Sequence, residues 1–114
     1  MKVAVDQLLQ EYLLSSDLEE ATRCIKELNA PLFSHEVVRR AVINSLDKAA
    51  DKQLLMSKLL AYLAKNEVVS PVQAAKGFQR LEESLSDLVL DCPNASKLVA
   101  EFKQRAIADG VLSV

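Results

Sequence analysis

The sequence predicts an all-α fold: a compact stack of three antiparallel helical hairpins, of an atypical HEAT-like kind. Three observations carry this. Apolar residues recur three and four positions apart almost from end to end, the period of a helix that buries one face. The chain holds only two glycines and three prolines, too few for the many turns of a β-rich fold. The polar breaks between periodic segments are short, about two to six residues, which makes consecutive helices antiparallel neighbours.

Six helical segments follow in order. Val5, Leu8, Leu9, Tyr12 and Leu13 make the first stripe. Leu18, Ala21, Cys24, Ile25 and Leu28 make the second, with Ser16 and Glu19 spaced as a capping box at its start. Pro31 interrupts the chain, and Ser34 is the expected N-cap of a third helix carrying Val37, Val38, Ala41, Val42 and Leu46. Asp51 is the expected cap of a fourth, with Leu55, Met56, Leu59, Leu60 and Leu63 inside. Ser70-Pro71 opens a fifth with a capping serine, proline at the first helical position and Gln73 three residues on. Its core stripe reads Val72, Ala75, Phe78, Leu81 and Leu85. The sixth follows Pro93, carries Leu98, Val99, Phe102 and Ala106, and stops near Gly110. The hairpins fall at 5–29, 34–66 and 70–109, the scale of helical repeats. An irregular bundle is the plainer alternative.

At 114 residues the chain is one domain with room for a core. A net charge of −2 argues against nonspecific nucleic-acid binding. No apolar run approaches the ~18 residues of a membrane span, and Asp6 and Gln7 interrupt any signal peptide. Cys24 and Cys92 are too few and too far apart for a disulfide framework or a zinc site. They read as reduced, packed thiols of an intracellular protein, cytoplasmic or also nuclear.

Converging reactive groups are missing from the pattern. His35, the one histidine, stands beside a helix start next to Glu36 and reads as an exposed first-turn residue. Neither cysteine has an activating motif, and no phosphate loop, HExxH or GxSxG is present. The expectation is a non-enzyme with no cofactor and no metal. Lys76, Arg80, Lys97 and Arg105 could contact RNA weakly. Phe78 and Phe102 fall on core stripes rather than between those cations, which favours solvated faces over an RNA platform.

The segment Leu85-Ser86-Asp87-Leu88-Val89-Leu90-Asp91-Cys92-Pro93 is the most informative. A helical turn puts Asp87 and Asp91 on one face, and the residue before Pro93 is biased out of the helix, so the chain bends there. Asp91 could simply cap the last helix; Asp87 has no such structural excuse. The residues leave open metal binding, which lacks the dense oxygen ligands of a calcium loop, and the capture of basic groups on a partner.

The stretch Asp87 to Ala95, continued by Leu98-Val99-Ala100-Glu101-Phe102 and by Ala106 to Leu112, resembles the end of an MI domain, also called MA-three. The likeness extends through Gln10-Glu11-Tyr12, Glu27-Leu28-Asn29 and Ser57-Lys58-Leu59-Leu60, so it covers nearly the whole chain. It implies a monomeric helical module, residues 1–114, that is one of several in a longer protein. It also implies a partner, the DEAD-box RNA helicase eukaryotic initiation factor 4A. Inhibition of that helicase represses cap-dependent translation; scaffold proteins of the family recruit it instead. The helicase-contacting positions correspond here to Glu11, Asp47, Asp87, Asp91 and Pro93. Asp47 and Asp87 stand where glutamate is often found, one methylene shorter. In stacked hairpins the turns holding Asp47 and Asp87–Asp91 fall at one end, so the three can form an acidic ridge.

Overall fold

A computed structural model describes residues 2–28 and 34–112. The elements are α1 (Lys2–Ser15), α2 (Leu18–Glu27), α3 (Ser34–Ser45), α4 (Ala50–Lys65), α5 (Pro71–Glu83), α6 (Leu85–Asp91) and α7 (Ala95–Ala108). Helices α1, α3 and α5 stack side by side in one layer. Helices α2, α4 and α7 form the second layer, and α1 with α2, α3 with α4, and α5 with α7 pair between the layers. This is the stacked-hairpin architecture, and no strand occurs among the described residues.

The core lies between the layers. Leu9, Val38, Ala41, Val42, Met56, Leu59, Leu63, Ala74 and Leu81 are wholly out of solvent, and Tyr12, Phe78 and Phe102 nearly so. Each large apolar side chain buried this way stabilises the fold by about 1.5–3 kcal/mol. The tightest seam joins α3 to α5. A Cβ on Gly77 would come within 2.7 Å of the His35 carbonyl oxygen and 2.9 Å of Val38 Cβ. Glycine is required there because the two backbones come that close.

That seam corrects the expected phase of α5. Val72 is 74% exposed and Ala75 also faces solvent, while the small residues Ala74 and Gly77 are buried beside Phe78 and Leu81. Close helix approach selects small side chains, which a search for bulky apolar ones passes over. Nor does Leu85 extend that helix. The Ser84 hydroxyl donates to the Arg80 carbonyl at 2.9 Å, and the chain restarts as α6, so that the described residues hold seven helices where six were expected.

The caps shift as well. The α2 cap is Asp17, whose carboxylate accepts the Glu20 N–H at 3.1 Å, while Ser16 takes the left-handed conformation (φ 59) at the end of α1. The N-cap of α4 is Ala49, without a side-chain bond, and Asp51 lies in the first turn. Ser34 begins α3 itself, and its hydroxyl donates to the Val68 carbonyl at 3.3 Å rather than capping. Ser70 caps α5 as expected, accepting the Gln73 N–H at 3.2 Å. The break expected at Pro31 lies outside the described residues. His35 is buried, not exposed, and its N–H and Nδ1 both meet Gln73 Oε1 at 3.2 Å.

Two helices end in the same motif. After α7, Gly110 takes φ 79, its N–H reaches the Ile107 carbonyl and the Val111 N–H the Ala106 carbonyl. After α4 the same pair of bonds forms around Glu67 at φ 61, a conformation that is strained for any residue with a Cβ.

Candidate protein-binding groove

Helix α6 is seven residues long and buries none of them. Leu85, Leu88 and Val89 pack against the core edge, whereas Leu90 is 79% exposed. The helix ends at Asp91, and Cys92 is extended (φ −134, ψ 97), which turns the chain into α7 past the exposed Pro93. Asn94, not Asp91, is the N-cap of α7, and no side chain bonds there. Asp91 therefore does not serve as the helix cap, and Asp87, one turn earlier, is exposed like it.

A groove of about 260 Å³ runs between this corner and the end of α3. Ile43, Leu46, Leu88 and Cys92 give it apolar walls, and Asp47, Asp91, Gln10 and Asn44 its polar ones. The Cys92 thiol points to the Leu46 carbonyl at 3.7 Å and ties the corner to α3. On the other side, the buried Gln53 donates to the Ser45 and Lys48 carbonyls at 3.3 and 3.1 Å, which fixes the turn carrying Asp47. Asp47 and Asp91, 44 positions apart in sequence, thus share one groove, with Asp87 a turn away on α6.

A polar clamp supports the groove from beneath. Arg40 binds both oxygens of Asp6 at 2.8 Å. Asn44 donates to Asp6 at 3.0 Å and to the Arg40 carbonyl at 2.7 Å, and accepts from Gln10 at 2.9 Å. These half-buried groups lock α1 to α3. Sequence reasoning passed over them, as it did Gln53; the one available signal was polar residues standing on helix faces otherwise given to the core.

Glu11 stands apart. It borders a small cleft between α1 and α2 with Leu8, Tyr12, Asp17, Glu20 and Cys24, not the α3–α6 groove. Glu20 there is held below the usual carboxylate range by its hydrogen bond from Arg23. Burial, and then the contact with Glu20, pushes the Cys24 thiol up.

Of the four residues considered for RNA, Lys76, Arg80 and Lys97 are exposed. Arg105 is not available. Its Nε donates to Ser57 Oγ at 2.8 Å, and its guanidinium lies 4.7 Å from the Phe102 ring centre. Among the described residues, no group of three or more His, Cys, Asp and Glu is placed to hold a metal ion. Neither is any helix among them long and apolar enough to cross a membrane.

Residues 1–113 match the MA3 domain family. The chain belongs to that family. Across 111 residues the domain is 41% identical to MA3 domain-containing translation regulatory factor 1 of Arabidopsis thaliana, covering 97% of this chain and 16% of that protein. Against programmed cell death protein 4 it is 36% identical over 110 residues in Gallus gallus and 34% in Homo sapiens, with 96% of this chain and 24% of each relative covered. The domain therefore spans a quarter or less of the length of these relatives.

Proposed function

We propose that this MA3 domain is a protein-interaction module of translation control. It binds the helicase eukaryotic initiation factor 4A through the α3–α6 groove and its acidic rim, and inhibits it. The observation that carries the reading is the convergence of Asp47 and Asp91 on one apolar groove, beside exposed Asp87, Leu90 and Pro93. The relatives named for translation regulation support the setting. A helicase that handles phosphate-bearing substrates offers Arg and Lys in quantity, and an acidic rim can occupy them. Exposed pairs contribute only about 0–1 kcal/mol each. Charge pairs desolvated across an interface couple at roughly 1.5–7 kcal/mol, so two or three against an apolar floor suffice for specific binding. Glu11 lies beyond the groove and would contribute at its margin.

The test is titration of the domain into purified initiation factor 4A, with circular dichroism in parallel. Asp87→Ala/Asp91→Ala is expected to weaken binding about tenfold or more with helicity unchanged. Glu11→Ala should change it less. RNA-stimulated ATPase activity of the helicase should fall as the domain saturates it; a rise would assign the recruiting role instead. Absence of saturable binding by the unaltered domain at high micromolar concentration overturns the reading.

A further inference from the structure

A second groove, sharing no lining residue with the first, opens on the other layer. It measures about 500 Å³ and is bounded by Leu18 at the start of α2, by Lys58, Ala61, Tyr62, Ala64 and Lys65 of α4, and by Asp109 and Gly110 beyond α7. We propose that this groove binds single-stranded RNA. Lys58, Tyr62 and Lys65 fall at positions i, i+4 and i+7 of α4, one face of the helix. Seven residues of helix rise about 10.5 Å, so an aromatic ring stands midway between two ammonium groups that can take successive parts of a phosphate backbone. Both lysines are exposed and have no ion-pair partner among the described residues, and the half-buried Tyr62 lines the groove between them.

That is the arrangement by which single strands are held without base-pair readout: cations along the backbone and an aromatic face for a base. Leu18, Ala61 and Ala64 give the apolar floor a stacked base needs. At Gly110 even an added Cβ would meet nothing within 4 Å, so the mouth is open. Asp109 decides between RNA and an acidic peptide. Its carboxylate repels phosphates and carboxylates alike, but a base can offer it an exocyclic amine and stack on Tyr62 while the phosphates face the lysines, and a chain of carboxylates offers neither. Of the cations first considered for RNA, Lys76 and Arg80 lie on α5, and Phe78 between them is buried in the core, out of reach of a base.

The experiment is fluorescence anisotropy with a labelled single-stranded RNA of about 12 nucleotides, read over a salt series. Lys58→Ala/Lys65→Ala is expected to flatten the slope of log affinity against log salt by about 1.4, two phosphate contacts' worth. Tyr62→Leu, which keeps apolar bulk and so the fold, should cost about fivefold or more through lost stacking. Lys76→Ala/Arg80→Ala should change neither quantity, and Asp87→Ala/Asp91→Ala should not weaken RNA binding. The proposal is overturned by no saturable binding, by equal losses in the α5 control, by indifference to Tyr62→Leu, or by polyglutamate binding as tightly at the same lysines.

Discussion

The α3–α5 seam and the α6 corner are neighbours along the chain and opposites in construction. At the seam, Gly77 brings backbone within 2.7 Å of a Cβ that is not there, and every inward side chain is sealed. At the corner, a seven-residue helix fully buries no residue, half-covers Leu85, Leu88 and Val89, and holds Leu90 out to water at 79% exposure. The contrast separates two duties. Closely packed helices set where the corner stands, and the corner spends almost none of the domain's folding energy, leaving its side chains for another molecule.

The comparison can be tested by mutation. Phe78→Ala at the seam should cost about 3–5 kcal/mol in urea unfolding, whereas Leu90→Ala should stay within about 0.5 kcal/mol of the unaltered domain. Equal losses would mean that α6 is part of the core after all. Gly77→Ala comes next, at about 1–3 kcal/mol of destabilisation from overpacking. Alanine is the better helix former by up to about 1 kcal/mol, so a stabilised variant would show that α3 and α5 can part freely.

A smaller effect comes with alkaline pH. Tyr12 donates to the Leu55 carbonyl at 2.7 Å, and burial pushes its hydroxyl from 10.0 up to about 12. The folded state thus keeps a proton that the unfolded chain has released. Its stabilisation is whole below pH 10 and lost as the pH climbs toward 12. The urea midpoint should fall across that window, and Tyr12→Phe should lessen the fall; a flat profile would place Tyr12 in contact with water. Smallest is Glu67→Gly, which relieves the left-handed strain after α4 and should raise stability by about 0.5–1 kcal/mol in the same unfolding assay.

The sequence made a helix legible where periodicity and a cap agreed, as at Ser70-Pro71, and after Pro93 periodicity alone sufficed, since no side chain caps α7. It misled where two signals competed. Ser16 and Asp17 are both good caps, and only the folded chain shows that Ser16 is needed to end α1. Val72 outranks Gly77 on any scale of hydrophobicity, yet proximity to α3 selects the smaller residue. Leu85 continues the α5 stripe, so nothing in the spacing betrayed the break at Ser84. The resemblance pointed to the acidic corner. The stacking of hairpins also carries the expectation that Asp47 lies at the same end, in one ridge with that corner. The clamp from Asp6 through Arg40 and Asn44 to Gln10 depends on contacts more than 30 residues apart, which local pattern does not encode, and the facing of Glu11 toward α2 depends on how the first hairpin closes.

The Cys92 thiol's contact with the carbonyl of Leu46, just past α3, is the one hydrogen bond joining the corner to the end of that helix among the described residues. Between that tether and the pivot at Ser84, the chain carries an interchangeable cassette. Residues 85–91 could be replaced by another short helix that keeps its half-buried side at Leu85, Leu88 and Val89, with the frame left standing. Such a scaffold can acquire a new partner by changing a handful of outward side chains, which gives one fold a cheap route to many clients.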